Sequence, residues 1–247
     1  MQLPSVHPWS DSAAEQAQQH LGRLTKPPGS LGKLENLSVW WCGARGQFPP
    51  ELPQRARLYT FAGDHGVTAE GVSPYPSAVT AQMVANFLAG GAAVNVFARH
   101  HGVELAVVDM GVDSDTAWKS TPNATFLDRK IRRGTGNMRH ELAMSRAEAE
   151  AAVQAGIALA LAAHAEGVQI LGAGEMGIGN STSAAAILSA VAAMPAKLTA
   201  GRGTGVDDAG LSQKVRVIDA ALALHRPERE DGIGILSAVG GLEIAGI

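Results

Sequence analysis

The chain has 247 residues, a formal net charge of −3 and a single cysteine, Cys42. One cysteine excludes a disulfide framework and a cysteine-based zinc site within the chain, and the weak charge without a basic stripe argues against nucleic acid as a partner. Aromatic residues make up only 4% of the chain and glycine occurs 29 times. The core must therefore use small aliphatic side chains with close backbone approaches, which suits helices packed on a parallel sheet.

The sequence shows no sign of export or of a membrane anchor. Residues 1–16 lack the basic segment and the apolar segment of a signal peptide. The longest apolar stretch, residues 156–165, is about half the length of a membrane span. Together with the single cysteine, which favours a reducing compartment, these features predict a soluble cytoplasmic protein that does not bind a membrane.

Two helices are predicted in the N-terminal part. Residues 11–24 form the first, and a rigid Lys-Pro-Pro-Gly break follows it. Ser30 is placed to cap a second helix over residues 31–41. A group of prolines then separates this part from the remainder, so we expect a small helical part at residues 1–50 and an α/β nucleotide-binding domain at residues 51–247.

Strands and helices alternate in the rest of the chain. Strands are predicted at residues 58–62, 103–109 and 168–171, and helices at residues 80–99, 145–166, 181–193 and from Asp207 or Asp208 onward. This alternation indicates an α/β fold with a Rossmann-like parallel sheet flanked by helices. Ligands bind such sheets at the carboxyl ends of the strands, so the loops after the three strands should converge there.

The last residues, 240–247, are apolar and end without a polar tail. A chain terminus is usually exposed and polar, or loosely held. The pattern is typical of an element that is cut before it packs, and we expect the α/β domain to be incomplete at its C-terminus. A terminal strand or helix that is fully buried is the alternative.

The most informative loop is predicted after the third strand, at residues 172–180. Its glycines at positions 172, 174 and 177 match G-x-G-x-x-G, but a dinucleotide-binding fold needs an acidic residue about 20 positions later. The next acidic residue after Glu175 is Asp207, so a nucleotide-dependent oxidoreductase is disfavoured. Glycines still allow main-chain N–H groups to approach a ligand, and the N-terminus of the following helix favours an anion.

We therefore predict that this loop binds a phosphate. The residues expected to contact the ligand are Gly174, Gly177, Gly179, Asn180 and Ser181. Glu175 would repel a phosphate, so we expect it to face a ring N–H or sugar hydroxyls, because loop carboxylates after strands are concentrated at functional sites. The alternative is that Glu175 only accepts hydrogen bonds from the backbone.

A second glycine loop, residues 201–205, is centred on Gly203 and precedes the helix that carries Lys214. A lysine about two turns into that helix can neutralise a phosphate as a point charge. The sequence leaves this role and that of a solvated surface lysine equally open.

Asp64 and His65 directly follow the first predicted strand. Such a pair can transfer a proton or hold a sugar, although an isolated histidine is more often a packed residue. The eight histidines show no H-E-x-x-H spacing, so no metal site is predicted. Neither a G-x-S-x-G elbow nor a P-loop is present, which leaves an α/β protein that binds a small phosphorylated ligand.

Four motifs occur in order along the chain, at residues 26–32, at residues 62–67 with 70–73 and 79–83, at residues 174–182, and at residues 231–232 with 239–241. Together they resemble the motifs of the nicotinate-nucleotide–dimethylbenzimidazole phosphoribosyltransferase family. The resemblance implies transfer of the 5-phosphoribosyl group of nicotinate mononucleotide to 5,6-dimethylbenzimidazole, which gives α-ribazole 5′-phosphate and nicotinate in cobalamin biosynthesis. It also implies a homodimer and no organic cofactor.

The resemblance further implies roles for individual residues. The two glycine loops and Lys214 would hold the 5′-phosphate, and Glu175 would lie near the ribose or the acceptor base. The apolar edge of the benzimidazole would rest on Tyr75, Met83 and Val84.

The family's general base is a glutamate of a Gly-Glu-Gly motif that lies beyond the position of Ile247. No catalytic residue is therefore assigned within this chain, and little or no turnover is expected from a protein of this length. Two alternatives remain open. One is a catalytically deficient module that binds a nucleotide. The other is the nucleotide-dependent oxidoreductase, which preferential binding of NAD would favour.

Overall fold

The computed structural model describes residues 5, 6 and 8–247. The first four residues and His7, which belong to the segment inspected for a signal peptide, lie outside the described residues. Contacts within the chain divide it into two compact units, with the boundary between Pro53 and Gln54.

The N-terminal unit contains the helices α1 (Asp11–Arg23) and α2 (Lys33–Arg45). The prediction that Ser30 caps the second helix is wrong, because α2 follows Gly32, which has a φ of 57° and makes no side-chain cap. Glu35 in the first turn stabilises this end instead. Its carboxylate accepts the N–H of Leu31 and pairs with Lys26 at 2.7 Å.

A parallel sheet of four strands lies at the centre of the described part of the C-terminal unit. The strands are β1 (Ala56–Gly63), β2 (Glu104–Gly111), β3 (Thr125–Asp128) and β4 (Ile170–Met176). Their order is β3-β2-β1-β4 and every neighbouring pair is parallel, which confirms the predicted fold class. Residues 172–176, predicted as a loop, are strand, because the pairing of β4 with β1 continues to Met176.

Helices flank this sheet. They are α3 (Ala78–Ala89), α4 (Ala93–His100), α5 (Arg146–Ala165), α6 (Asn180–Ala192), α7 (Ala196–Thr199), α8 (Asp208–His225), α9 (Gly232–Val239) and α10 (Leu242–Gly246), with a 3₁₀ turn at Gly66–Glu70. Asp207 caps α8 as predicted, since its side chain accepts the N–H of Gly210 at 2.8 Å. The single helix predicted at residues 80–99 is wrong: Gly90, with a φ of 84°, ends α3 and separates it from α4.

The stretch Ala78–His100 is long and apolar enough to cross a membrane, by length and composition alone. It consists of α3 and α4, and the core helices of soluble proteins satisfy the same criteria. Val84 and Phe87 of α3 are buried in a core cluster with Val107 of the sheet.

Apolar side chains cover both faces of the sheet, as parallel sheets require. Phe61 of β1 packs in one cluster with Leu242 of α10, while its neighbour Ala62 packs in another with Val84. A third cluster joins α6, α8 and α9. For residues 240–247 the sequence allowed either an element that is cut before it packs or a terminal element that is fully buried. Residues Leu242–Gly246 form the helix α10, in which Leu242 and Glu243 are fully buried.

Candidate functional site

The carboxyl end of β4 and the start of α6 bring several predicted residues together. Asn180 donates a hydrogen bond from Nδ2 to Oε2 of Glu175. Lys214 donates from Nζ to Oγ of Ser181 at 2.9 Å. Gly203 lies beside this second pair, because a Cβ atom on it would be 2.6 Å from Oγ of Ser181 and 3.2 Å from Nζ of Lys214. We call Glu175, Asn180, Ser181, Gly203 and Lys214 the strand-end site.

Lys214 is a buried cation at this site. The residue is only 1% exposed, which contradicts the alternative of a solvated surface lysine. Its Nζ donates to Oγ of Ser181 and to the carbonyl oxygen of Gly201, both at 2.9 Å, and both acceptors are neutral. Within the described residues Lys214 forms no ion pair with a carboxylate, and burial lowers its pKa because desolvation disfavours the charged form.

The turn between β4 and α6 packs closely on the loop that follows β1. A Cβ atom on Gly177 would lie 2.4 Å from the carbonyl oxygen of Gly63, and one on Gly179 would lie 2.9 Å from Cγ2 of Thr68. The structure therefore explains these glycines by chain packing, where the sequence suggested approach of a ligand. Gly174, in contrast, has open space where a Cβ atom would be.

The G-x-G-x-x-G spacing does not form a nucleotide-binding turn. Two of its three glycines, at positions 172 and 174, lie within β4 itself and only Gly177 belongs to the turn. The fingerprint of dinucleotide-binding folds requires these glycines at the strand-to-helix turn. The geometry thus gives the oxidoreductase alternative no support.

Glu175 lies at the end of β4 with its side chain exposed on one side and partly covered by protein, and its carboxylate accepts a hydrogen bond from the Asn180 amide. Its partial burial raises its pKa, and the charge of Glu243 raises it further, whereas the amide of Asn180 and the nearby His65 lower it. The carboxylate bonds a side chain and no backbone donor within the described residues, so the alternative of a purely backbone-capping role is not observed.

Asp64 is buried, and Oδ1 of its carboxylate has no hydrogen-bond partner among the described residues, so the expectation that it contacts a ligand stays a prediction. Its Oδ2 accepts the N–H of Asp113 at 2.8 Å. Burial raises the pKa of Asp64, which the N–H of Asp113 and the hydroxyl of Thr80 partly offset. Thr80 in turn accepts the N–H of Ile178 at 3.1 Å, so this group links the loop after β1 to the turn before α6.

His65 is likewise enclosed by protein, contrary to the expectation that it reaches a substrate. Its Nε2 lies 2.6 Å from Oε1 of Glu243, and its Nδ1 lies 3.1 Å from Oγ of Ser183. Burial alone lowers the pKa of His65, but the carboxylate of Glu243, helped by the charges of Asp64 and Glu175, gives a net increase.

The sequence analysis missed Glu243 and Ser183. The available signal for Glu243 was a single charge inside an otherwise apolar stretch directly after two glycines. Ser183 carried no such signal, because serine is common in the first turn of a helix.

The residues expected to contact an acceptor base differ in their exposure to solvent. Tyr75 is 51% exposed, and its N–H donates to Oγ of Ser73, which lies 3.4 Å from Oγ1 of Thr204 in the second glycine loop. Met83 is partly buried against the core. Val84 is fully buried, so the expectation that it contacts a ligand is wrong.

Within the described part of the chain, no group of three or more His, Cys, Asp or Glu side chains is arranged to hold a metal ion. A cavity of about 610 Å³ lies at the opposite end of the sheet. Its lining includes Arg57 and Glu104 from the starts of β1 and β2, together with Arg99, and none of the strand-end residues. Since parallel sheets bind ligands at their carboxyl ends, this cavity is not the predicted site.

Comparison with known proteins gives a consistent result. A sequence model of a family described as phosphoribosyltransferase matches residues 6–247. The nicotinate-nucleotide–dimethylbenzimidazole phosphoribosyltransferase of Geobacter sp. strain M21 is 49% identical over 99% of this chain and 69% of its own length. The enzyme of the same name from Roseiflexus sp. strain RS-1 is 50% identical over 99% of this chain and 68% of its own length.

The solved structures agree with the sequence comparison. The crystal structure of CobT from Thermus thermophilus superimposes with a TM-score of 0.86 at 42% identity, and the match covers 95% of this chain and 68% of that one.

Proposed function

Since the chain belongs to the nicotinate-nucleotide–dimethylbenzimidazole phosphoribosyltransferase family, we propose that it acts in that transfer. It moves the 5-phosphoribosyl group of nicotinate mononucleotide to 5,6-dimethylbenzimidazole in cobalamin biosynthesis. The products are α-ribazole 5′-phosphate and nicotinate. No observation favours the alternative of a catalytically deficient module.

The buried ammonium of Lys214 is the observation that carries this proposal. Removing a charge from water costs free energy unless an opposite charge compensates it, and the acceptors of Lys214 within the protein are neutral. A phosphate dianion at this position would supply the compensating charge. The surrounding residues suit it, because Gly203 leaves the ammonium approachable and Ser181 lies in the first turn of α6, where an anion is favoured.

The 5′-phosphate of the donor therefore binds beside Lys214, Ser181 and Gly203. The adjoining wall is shaped by Gly174 through its open space, by Gly177 and Gly179 in the turn before α6, and by Asn180, the first residue of α6.

Glu175 lies at the ribose or at the acceptor base. An exposed carboxylate next to a phosphate site would repel the anion, so it faces a part of the ligand that donates hydrogen bonds. The acceptor base attacks through a ring nitrogen, which becomes a stronger nucleophile when the opposite N–H gives its proton to a base. The family resemblance assigns that role to the glutamate of the Gly-Glu-Gly motif, and no residue of this chain is assigned to it. Holding donor and acceptor in line supplies much of the remaining rate.

Tyr75 is the better supported of the two acceptor-binding residues. It is exposed, and its segment is tied through Ser73 to the glycine loop beside Lys214. Met83 contributes the part of its side chain that stays accessible, because it is partly buried against the core. We also propose a homodimer that acts in the cytoplasm, as the sequence and the family resemblance suggest.

Calorimetric titration of this chain tests the proposal through the phosphate. We expect nicotinate mononucleotide to bind more tightly than nicotinate riboside, which lacks only the phosphate, by roughly tenfold or more, the scale of a charged hydrogen bond. Inorganic phosphate should compete with the mononucleotide. Equal affinity for the two ligands, or preferential binding of NAD, would contradict the proposed donor site.

A further inference from the structure

Three segments meet at a buried pair behind the strand-end site. His65 follows β1, Glu243 lies in α10, and Ser183 lies in the first turn of α6. The imidazole contacts both partners, at 2.6 Å to Glu243 and 3.1 Å to Ser183, and the side chains of the histidine and glutamate are 0% exposed. We propose that His65 and Glu243 are positioning residues: a buried histidine–glutamate pair that, through Ser183, holds the first turn of α6 in place at the strand-end site. This inference rests on the proposed function, because the strand-end site is what the pair positions.

Glycines from three separate segments make room for the pair. A Cβ atom on Gly63 would lie 2.9 Å from Oε2 of Glu243, and one on Gly177 would lie 3.2 Å from the His65 ring. A Cβ atom on Gly241 would lie 2.5 Å from Cε1 of His65. None of these glycines has a positive φ, so backbone conformation does not require them. The space needed by the pair accounts for Gly63 and Gly241, which belong to two of the sequence motifs, whereas Gly177 lies closest to the carbonyl oxygen of Gly63.

The protonation of His65 follows from the charge state of its partner. With an ionised Glu243, which only accepts hydrogen bonds, Nε2 of His65 carries a proton. Oε2 of Glu243 has no hydrogen-bond partner among the described residues, so the imidazole is the carboxylate's main compensation. In the imidazolium form Nδ1 also donates, and it then bonds Oγ of Ser183 and ties α6 to the loop after β1. The net increase in the pKa of His65 agrees with this form.

The same two charges act on Glu175 in opposite directions. Glu243 raises the pKa of Glu175 and His65 lowers it, while Asp64 acts on His65 from the neighbouring position. The effect of Glu243 is the larger of the two, so the pair as a whole raises the pKa of Glu175. Loss of the His65 charge alone would raise it further.

The first test is an NMR titration of His65 in the native chain and in the variant Glu243→Gln, which keeps the side-chain shape and removes the charge. We expect His65 in the native chain to remain protonated above the ordinary histidine pKa of 6.5. In the variant this pKa should fall, because burial then acts without a counter-charge. A His65 ring that is neutral throughout pH 5–8 in the native chain would overturn the proposal, whether or not the variant folds.

The second test follows the affinity for nicotinate mononucleotide as a function of pH. In the native chain, protonation of Glu175 should weaken binding at acidic pH, and Glu175→Gln should abolish this dependence. Glu243→Gln should move it to lower pH, because the charge that raises the pKa of Glu175 is gone. A purely structural role would weaken binding equally at every pH.

A double-mutant cycle separates the pair from its surroundings. His65→Gln should raise the dissociation constant by roughly tenfold, the scale of a buried charged hydrogen bond, since it leaves Glu243 unpaired. Adding Glu243→Gln should restore part of this loss. His225→Gln is the matched control, because that partly buried histidine contacts the carbonyl oxygen of Met138, at 2.7 Å, and no carboxylate among the described residues.

The outcomes distinguish this inference from the proposed function. The positioning role would be overturned if both single variants melt like the native chain, their effects on the dissociation constant are independent, and the pH dependence of binding does not shift. A native chain that does not bind the mononucleotide would overturn the proposed function instead. In that case the His65 titration and the amide exchange of residues 180–183 in Glu243→Gln would still test the ion pair.

Discussion

Replacement of Lys214 by Met separates binding of the donor from stability of the fold. The variant keeps an unbranched side chain and removes an ammonium that is 1% exposed. It loses two hydrogen bonds, but Ser181 is only partly buried and Gly201 is exposed, so water can replace them. The variant also loses the cost of keeping an unpaired ammonium away from water, which offsets the lost hydrogen bonds. We expect the free energy of unfolding to change by no more than about 1 kcal/mol.

Donor binding should change much more. A hydrogen bond to a charged group contributes about 1.5–3 kcal/mol, so the dissociation constant for nicotinate mononucleotide should rise roughly tenfold or more. Donor at about 100 times its native dissociation constant stabilises the native fold by about 2.7 kcal/mol, and a tenfold weaker variant by about 1.4 kcal/mol at the same concentration. Urea unfolding with and without the mononucleotide measures both effects.

The pH dependence of the free protein provides a second check on Lys214. Its pKa in the folded state lies below the ordinary value of 10.5. Between these two values the unfolded chain binds more protons, so native stability should rise with pH there, and the Met variant should lack this gain. The exposed Lys197 serves as the control through Lys197→Ala. Equal stabilisation by the donor in the Met variant and the native chain would refute the reasoning.

Three further substitutions test the surroundings of the site. Gly203→Ala places a Cβ atom 2.6 Å from Oγ of Ser181 at a φ of 54°, so donor affinity measured by calorimetry should fall several-fold, about 1 kcal/mol. Gly179→Ala combines a φ of 94° with a contact of 2.9 Å to Thr68, and urea unfolding should show a loss of about 2 kcal/mol or more. Glu175→Gln should keep the native melting temperature and weaken binding of ribose or acceptor; loss of folding would instead indicate a structural role.

The sequence supported the fold well where one local signal decided the outcome. Alternation of apolar segments and helices gave the α/β class, and the side chain of Asp207 marked the start of α8. Predictions failed where pairing between distant segments decided. β4 extends to Met176 because β1 continues beside it, and the start of α2 depends on Glu35 pairing with Lys26 rather than on Ser30.

In the candidate site, too, local sequence signals led to correct predictions and contacts between distant segments were missed. Motif spacing singled out Glu175, Asn180, Ser181, Gly203 and Lys214, and the structure places them together. The sequence could not show that Lys214 is buried, because burial depends on the packing of α8 against its neighbours. Nor could it show that a histidine after β1 meets a glutamate in α10, since that contact spans 178 positions of the chain.

A crystal structure of the chain with nicotinate mononucleotide tests the central claim most directly. The account predicts the 5′-phosphate within about 3 Å of Nζ of Lys214, beside Ser181 and the glycine loop at residues 201–205. A phosphate bound in the cavity lined by Arg57 and Arg99 at the other end of the sheet would contradict it.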